Sequence, residues 1–315
     1  MSVRIIEGDA RRVLRTLPES SASLIVTSPP YWQQRDYGVS GQLGQEDTVA
    51  EYVAAIVGVF SEARRVLRKD GLLFLNIGDT RRQKRLLGIP WRVALAMQDD
   101  GWILRQDIVW AKTAHKPERV RDRPTTAHEP LFMFSKSARY HYDAAAVAVP
   151  SKSAQGRPQR RRAEEIAREA GLTPEHIAAI RSVGINDVGK ARRTQTGTGR
   201  NRPEVQSLAD EAKAVLKGYY REFLIGDTVN LRSVWTVEST VHDGSHTAVF
   251  PRALIEPCIL AGCPVGGTVL DPFIGAGTTA IVAQALGRSC IGIELHPGEA
   301  EAARQRLGLF GQEAA

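Results

Sequence analysis

The sequence predicts an α/β fold with a mostly parallel sheet flanked by helices and a small insert of helices and loops. Over the first 150 residues, short β-branched runs alternate with segments whose apolar residues recur at helical spacing. The same alternation resumes near residue 267, after a basic, turn-rich stretch. Strands that alternate with helices are typical of parallel sheets with crossover helices.

The elements of the first half follow from this periodicity. The predicted strands are 3–6, 23–27, 72–77, 103–110 and 130–135. The predicted helices are 10–17, 47–68 and 90–101. The second helix has nine apolar residues at helical spacing and ends at Lys69-Asp70-Gly71. Strand 72–77 is a continuous apolar run, which is typical of a buried parallel strand.

The second half begins with a different composition. Residues 151–202 are polar and turn-rich, with one short helix predicted to start at Thr173-Pro174 and to end at Gly184. A helix over 205–224 and strands at 267–271 and 290–294 follow. We therefore divide the chain into a first half over 1–150, an insert over 151–225 and a second half over 226–315.

Length and composition indicate a globular protein. The chain has 315 residues, of which 43% are hydrophobic and 24% charged, enough to bury a large core. No apolar run reaches the roughly 18–20 residues of a membrane span, and the N-terminus lacks the apolar core of a signal peptide. Three cysteines without CxxC spacing argue against a disulfide framework or a zinc site. We expect a cytoplasmic protein without a membrane partner or a metal.

The positive charge of the chain is concentrated in the insert. Residues 151–202 hold twelve Lys and Arg against five Asp and Glu, an excess equal to the net charge of +7 of the whole chain. A solvated loop and a contact with a polyanion, above all nucleic acid phosphates, both fit this charge. Composition alone leaves both open.

A glycine turn in the second half indicates a cofactor site. The segment Asp271-Pro272-Phe273-Ile274-Gly275-Ala276-Gly277-Thr278-Thr279 follows a predicted strand and opens a helix. Its glycines allow a tight turn and close approach of a ligand to the helix N-terminus. The next strand ends in Glu294, which can accept hydrogen bonds from ribose hydroxyls. Because GxGxxG and GK[ST] are absent, a nucleoside is favoured over a dinucleotide or a triphosphate.

A proline turn in the first half suits a planar amine. Ser28-Pro29-Pro30-Tyr31 comes directly after a predicted strand. The prolines fix a rigid turn and lack backbone donors. The Ser28 hydroxyl and the carbonyl of Ser28 or Pro29 can therefore accept two N–H bonds while the Tyr31 ring stacks on the base. An ordinary turn is the alternative.

Together these segments resemble the amino-group DNA methyltransferases of the β arrangement, in which the catalytic motif precedes the cofactor motif. Ser28, Pro29, Pro30 and Tyr31 resemble the catalytic tetrapeptide in its cytosine-N4 form, and residues 110–136 are also similar to that group. The resemblance implies a Rossmann-like fold that binds S-adenosylmethionine. The implied cofactor residues are Asp9, His246, Phe250, Pro251, Asp271, Pro272, Phe273, Gly275, Gly277, Thr278, Thr279 and Glu294.

The resemblance also implies a substrate and partners. The substrate is a cytosine flipped out of double-stranded DNA, methylated directly on N4. The insert occupies the target-recognition position of the family, and its candidate DNA contacts are Arg160, Arg161, Arg162, Arg192 and Arg193. A separately encoded restriction endonuclease and a second copy of the chain are further partners suggested by analogy.

Three other functions remain open at this point. Adenine-N6 methylation is the main alternative, because a leading serine is a tendency of the cytosine group. Methylation of a glutamine amide in protein uses a similar Asn-Pro-Pro-Tyr turn, but the motif order and the basic insert disfavour it. A DNA-binding module without catalysis is the third, although both halves of the site look intact.

Overall fold

The computed structural model describes residues 1–113, 118–151, 158–184, 203–224, 228–238 and 250–308. These divide into two compact units, one formed by Met1–Val147 with Arg232–Ala315 and the other by Ala148–Leu231. The strands are β1 (Val3–Glu7), β2 (Ala22–Thr27), β3 (Leu67–Asn76), β4 (Arg81–Arg82), β5 (Arg85–Leu86), β6 (Ile103–Lys112), β7 (His128–Ser135), β8 (Val149–Pro150), β9 (Thr228–Val229), β10 (Val234–Val237), β11 (Thr268–Asp271) and β12 (Ser289–Glu294). The α-helices are α1 (Ala10–Thr16), α2 (Val49–Val66), α3 (Ile89–Asp99), α4 (Pro158–Glu169), α5 (Pro174–Val183), α6 (Pro203–Leu216), α7 (Arg221–Leu224), α8 (Arg252–Gly262), α9 (Thr278–Ala285) and α10 (Pro297–Arg306).

The first unit is built on one eight-stranded sheet in the order β1-β12-β11-β2-β3-β7-β6-β10. Only β7 runs antiparallel to its neighbours, so the prediction of a mostly parallel sheet is confirmed. Consequently β1, β12, β11, β2, β3 and β6 all end at one edge of the sheet, and β7 begins there. Loops at this edge are where α/β sheets bind their ligands.

Helices cover both faces of this sheet. Leu14 of α1, Ile56 of α2 and Val93 of α3 belong to the core on one face. Leu254 of α8 and Ala283 of α9 belong to the core on the other. The cysteines, all free, are buried as well. Burying two apolar faces holds the strand ends in a fixed arrangement, on which the geometry of the site depends.

The second unit is mainly helical. Four α-helices and a 3₁₀ turn over Lys217–Tyr220 enclose a small apolar core, and β8 pairs with β9 where the chain enters and leaves the unit. The sequence predicted one helix over 205–224, but α6 ends at Leu216. Lys217 adopts a left-handed φ of 49°, which interrupts the helix before α7 begins.

Two further features were not predicted from the sequence. Strand β10 adds to the edge of the sheet by pairing in parallel with β6. A short hairpin, β4–β5, follows β3. In the described part of the chain, no helix combines the length and the apolarity needed to cross a membrane.

Candidate active site

A cavity of about 310 Å³ opens at the edge where the parallel strands end. Residues from the ends of β1, β2, β3, β6, β11 and β12 line it, together with Glu129 at the start of β7. The predicted site residues that line this cavity are Asp9, Ser28, Pro29, Pro30, Tyr31, Phe250, Asp271, Pro272, Phe273, Gly275, Thr278, Thr279 and Glu294. The structure thus brings the proline turn and the glycine turn, about 240 residues apart in sequence, to one cavity.

Asp271 links the two turns directly. Its carboxylate accepts hydrogen bonds from the Thr27 hydroxyl at 2.5 Å and from the Thr279 hydroxyl at 2.6 Å. It also accepts one from the backbone N–H of Phe273 at 3.0 Å. Burial raises the pKa of Asp271 to about 6, although these hydrogen bonds oppose the shift. With its oxygens occupied in this way, Asp271 joins the strand before the proline turn to the helix after the glycine turn.

The glycine turn is shaped for a ligand at the N-terminus of α9. Gly275 has a left-handed φ of +50°, and nothing lies within 4 Å of the position that a Cβ would take. Its N–H donates to the Glu294 carboxylate at 2.9 Å, and burial raises the pKa of that carboxyl. Thr278 lines the cavity, and its buried hydroxyl has no hydrogen-bond partner among the described residues. A polar ligand group would satisfy this hydroxyl.

Asp9 contributes from the end of β1. It caps α1 by accepting from the Arg11 N–H at 2.8 Å, and its carboxylate pairs with the Arg11 guanidinium at 2.5 Å. These hydrogen bonds from Arg11 hold the pKa of Asp9 below its usual value. Asp9 is therefore ionised near neutral pH and lies in the wall of the cavity.

The Ser28 hydroxyl belongs to a hydrogen-bonded cluster. It lies 3.3 Å from the Tyr31 hydroxyl and 3.4 Å from Asn76 Oδ1. The Asn76 amide N–H donates to the Pro130 carbonyl at 3.1 Å, which turns Oδ1 towards Ser28 and Tyr31. When the Ser28 proton is donated within this cluster, the lone pairs of its oxygen remain available to a substrate N–H.

Tyr31 is held from two sides. Its hydroxyl lies 3.0 Å from Asn76 Oδ1 and 2.9 Å from Glu129 Oε2. Its ring lies so close to Gly78 that a Cβ there would come within 2.4 Å of it. Burial, reinforced by the charge of Glu129, raises the pKa of Tyr31 well above its usual value. The phenol thus stays neutral and can donate a hydrogen bond at physiological pH.

Glu129, Asn76 and Gly78 were not assigned individual roles from the sequence. Glu129 forms an ion pair with Lys112, whose ammonium lies 4.5 Å from the centre of the Trp110 ring. Glu129, Asn76, Lys112 and Trp110 all line the cavity. For Trp110, Lys112 and Glu129 the sequence signal was the resemblance over residues 110–136, which does not include Asn76 or Gly78. It gave no indication that Glu129 contacts Tyr31.

Several predicted residues lie elsewhere. Gly277 and Pro251 are not among the lining residues. Gly277 has a φ of +81° and packs on Ala303 of α10, where a Cβ would come within 3.2 Å. Pro251 is the N-cap residue of α8. Both positions support neighbouring elements of the site, and His246 lies outside the described residues.

The arginines of the insert differ among themselves. Arg160 is only 12% exposed, donates to Glu164 and to the Glu222 carbonyl, and lies over the Phe223 ring, and these three contacts are within the second unit. Arg161 is exposed, and Arg162 is exposed while paired with Glu165. Arg192 and Arg193 lie outside the described residues.

The fold and the cavity define a Rossmann-like α/β protein with a cavity at the carboxyl edge of its sheet. Residues 22–305 match the N6/N4 DNA methylase family, and the chain belongs to that family. It is 34% identical over 335 residues to the type II methyltransferase M.SmaI of Serratia marcescens, covering 97% of this chain and 91% of the relative. It is 36% identical over 332 residues to the type II methyltransferase M.Cfr9I of Citrobacter freundii, covering 96% and 87%.

Solved structures share the fold. PvuII DNA methyltransferase, described as cytosine-N4-specific, superposes with a TM-score of 0.63 at 18% identity, covering 100% of this chain and 89% of that chain. TTHA0409 of Thermus thermophilus, complexed with S-adenosyl-L-methionine, superposes with a TM-score of 0.55 at 24% identity, covering 98% and 95%. These confirm the predicted methyltransferase fold. The second has the predicted cofactor bound.

Proposed function

We propose that this DNA methylase transfers a methyl group from S-adenosylmethionine to the exocyclic N4 of a cytosine in duplex DNA. One observation carries the proposal: the Ser28–Tyr31 turn and the Gly275 turn line the same cavity. A methyl donor and an acceptor amine held there would be adjacent. Positioning of this kind accounts for much of the rate enhancement in group transfer.

The cofactor half of the cavity fits a nucleoside with a charged tail. The Glu294 carboxylate lines the cavity and can accept hydrogen bonds from ribose hydroxyls, and Gly275 leaves room for close approach. Thr278 offers its hydroxyl beside the N-terminus of α9, where the helix dipole favours a negative group such as a carboxylate. Asp9 and Phe250 complete the wall. When bound, S-adenosylmethionine supplies an electrophilic methyl group on a positively charged sulfur.

The catalytic half activates a weak nucleophile. The lone pair of an exocyclic amine is delocalised into the ring of the base. The Ser28 oxygen, with the carbonyl of Ser28 or Pro29, accepts the two amine N–H bonds and favours a more tetrahedral nitrogen. The Pro30 carbonyl is not one of these acceptors, because it already accepts a hydrogen bond from the Tyr52 hydroxyl at 2.8 Å. This bond helps to fix the turn. Because the acceptors are oriented beforehand, they need no reorganisation during the reaction.

The target base must leave the helix to reach these acceptors. An exocyclic amine is paired and stacked inside duplex DNA, so we infer that the nucleotide is extruded into the cavity. The Tyr31 ring, supported by Gly78, provides a fixed surface for the extruded base to stack on. The second unit supplies target recognition, with Arg161 and Arg162 as candidate contacts in its described part.

The leading serine favours cytosine over adenine. In the family that the chain resembles, a serine at the position of Ser28 is more usual in the cytosine-N4 enzymes, whereas Asp or Asn commonly leads in the adenine-N6 enzymes. Because the relatives are named type II methyltransferases, we also propose that the chain protects DNA from a separately encoded restriction endonuclease. A homodimer remains a proposal by analogy.

Identification of the methylated base tests this proposal. The purified chain is incubated with unmethylated plasmid DNA and cofactor carrying a labelled methyl group, and the DNA is digested to nucleosides for mass spectrometry. We expect labelled N4-methyldeoxycytidine. Labelled N6-methyldeoxyadenosine would select the adenine alternative, and DNA without label would contradict the proposal as a whole.

A further inference from the structure

We propose that the β4–β5 hairpin, residues 81–86, binds the sugar–phosphate backbone of duplex DNA beside the target nucleotide. We call this segment the basic hairpin. The inference rests on the proposed function, because it names a surface that holds the substrate of that reaction. It adds a DNA contact within the first unit.

The basic hairpin is fixed next to the catalytic turn. The Arg82 guanidinium donates to the Gln33 side-chain oxygen and lies 4.9 Å from the centre of the Trp32 ring. The Thr80 hydroxyl, just before the hairpin, donates to the Trp32 carbonyl at 2.9 Å. Because Trp32 directly follows Tyr31, these contacts place the hairpin beside the residues proposed to receive the extruded base.

The charge of the hairpin is strong and accessible. Four of its six residues are basic and none is acidic, and all six are exposed. Within the described residues, no hydrogen bond or ion pair engages the side chains of Arg81 and Arg85. Lys84 lies 3.3 Å from Asp122, but both side chains are exposed at 89% and 61%, and such a pair contributes little stability. These charges can therefore turn to phosphates.

Two features of the basic hairpin lower its stability. Arg82 stands directly opposite Arg85 in the strand register, and like charges at facing positions are destabilising. Gln83 and Lys84 form the two-residue turn with left-handed φ values of 50° and 65°. Asn-Gly or Gly-Gly relieves this strain in most turns of that kind. Retained strain of this sort is typical of functional segments. A polyanion between the arginines would remove the repulsion.

A neighbouring loop, with a net charge of +1, contributes two further exposed arginines. Residues 118–123 carry Arg119 and Arg121, both exposed. In the same loop Glu118 is paired with Arg123 at 2.6 Å, and the charge of Arg81 reaches Glu118 and contributes to the lowering of its pKa. The basic hairpin and this loop therefore lie together.

Salt dependence of DNA binding tests the inference. The variant R81Q/K84Q/R85Q removes three charges and keeps Arg82, which contacts Trp32. We measure binding of a 30-base-pair duplex that contains the target site, by fluorescence anisotropy, over a range of salt concentrations. Each lost phosphate contact lowers the salt slope by about 0.9, so we expect a slope smaller by about 2 to 3. At 0.15 M salt this corresponds to roughly fivefold weaker binding per contact.

Duplexes with neutral phosphate groups test where along the DNA the basic hairpin binds. Duplexes carry methylphosphonates at the phosphates that flank the target base, which is first located by nucleotide-resolution mapping of the methylated positions. These should weaken binding of the wild-type chain and weaken binding of the triple variant much less, because the contact is already lost. An equal effect on both proteins would overturn the placement beside the target nucleotide.

The matched control removes charge from the other edge of the sheet. Arg68 and Lys69 are exposed at the start of β3, the strand whose end leads to the hairpin. The variant R68Q/K69Q should keep the wild-type salt slope and the wild-type methylation rate. An unchanged slope in the hairpin variant, or an equal change in the control, would contradict the inference.

The outcomes separate this inference from the proposed function. A wild-type chain that methylates DNA while the hairpin variant binds it with wild-type salt dependence overturns only the hairpin assignment. A wild-type chain whose salt slope exceeds that of the hairpin variant by about 2 to 3, but which transfers no methyl group, overturns only the reaction. Thermal unfolding of the variant should be no lower than wild type, because one repulsive pair is removed. Loss of binding can then be attributed to charge.

Discussion

At the scale of single residues, the proposed chemistry depends on hydrogen bonds that orient Ser28. Tyr31 and Asn76 contact its hydroxyl, and Glu129 holds Tyr31 in turn. This arrangement leaves the Ser28 oxygen as an acceptor. Tyr31 has a second role, because its ring is the proposed stacking surface. Substitutions can separate these two roles.

Ser28→Ala should bind the cofactor with wild-type affinity and lose methyl transfer by about 100-fold or more, because an oriented acceptor is removed. Tyr31→Ala should do the same through loss of stacking. Tyr31→Phe is the matched comparison, and it should lose about tenfold because the ring remains while the hydroxyl is lost. Calorimetry and labelled methyl transfer measure both properties. Full activity of Ser28→Ala or Tyr31→Ala would contradict the assigned roles.

The raised pKa of Asp271 predicts that the stability of the fold depends on pH. Burial raises its pKa to about 6 in the folded state, above the usual value of 3.8. Its stabilising contribution is therefore complete below about pH 4 and lost as the pH rises through 6, a change of about 3 kcal/mol. Asp271→Asn does not titrate. The difference between the free energy of unfolding of Asp271→Asn and that of wild type, measured by urea titration, should therefore increase in favour of the variant from pH 4.5 to pH 8. A pH-independent difference would contradict the raised pKa.

At the scale of elements, the site depends on strands that end together and on the turn before α9. Gly275 has a left-handed φ and faces open space, as expected where a ligand approaches the backbone. Gly266, with a φ of +78° and equally open surroundings, lies in the turn before β11, at the opposite edge of the sheet. Gly266 is therefore a suitable control for Gly275, because the two glycines share their backbone conformation and open surroundings but only Gly275 lines the cavity.

Gly275→Ala should weaken cofactor binding by about tenfold or more, because a methyl group enters the ligand space. Gly266→Ala should carry a similar conformational penalty of about 1 kcal/mol, without any effect on cofactor binding. Calorimetric titration of each variant with S-adenosylmethionine measures the difference. Equal affinities for the two variants would contradict the placement of the cofactor at this turn.

The alternation of strands and helices and both turns could be predicted from the sequence, because each depends on local periodicity or on nearby glycines and prolines. Contacts between distant residues could not. The bond from Tyr31 to Glu129 joins residues 98 positions apart, and that from Thr27 to Asp271 joins residues 244 apart. Such pairs are decided by strand order in the sheet, which no local pattern encodes.

The same reason explains two packing contacts that the sequence did not predict. Gly277 was expected at the ligand, but its close approach is to α10, an element that follows it by twenty residues. Arg160 was expected on DNA with its neighbours, yet on α4 it points to Glu222 and Phe223. Charge in a sequence does not tell which side of a helix faces a packed neighbour.

At the scale of the whole molecule, the excess positive charge lies in residues 151–202 of the insert, and the rest of the chain carries equal numbers of basic and acidic residues. The insert is expected to bind phosphates and read bases. R161Q/R162Q/R192Q/R193Q should weaken DNA binding and reduce its salt slope by up to about 3 to 4. Arg160→Gln should instead lower the unfolding temperature, since its contacts lie within the second unit. A wild-type salt slope in the fourfold variant would indicate a solvated surface.

The central claim is that one cavity joins a methyl donor to a cytosine amine. The most direct measurement is nucleotide-resolution mapping of methylated positions in DNA from cells that express the wild-type chain or Ser28→Ala. We predict N4-methylcytosine at one recurring sequence in the wild-type cells and its absence with the variant. N6-methyladenine at a recurring sequence, or identical maps for both chains, would contradict the claim.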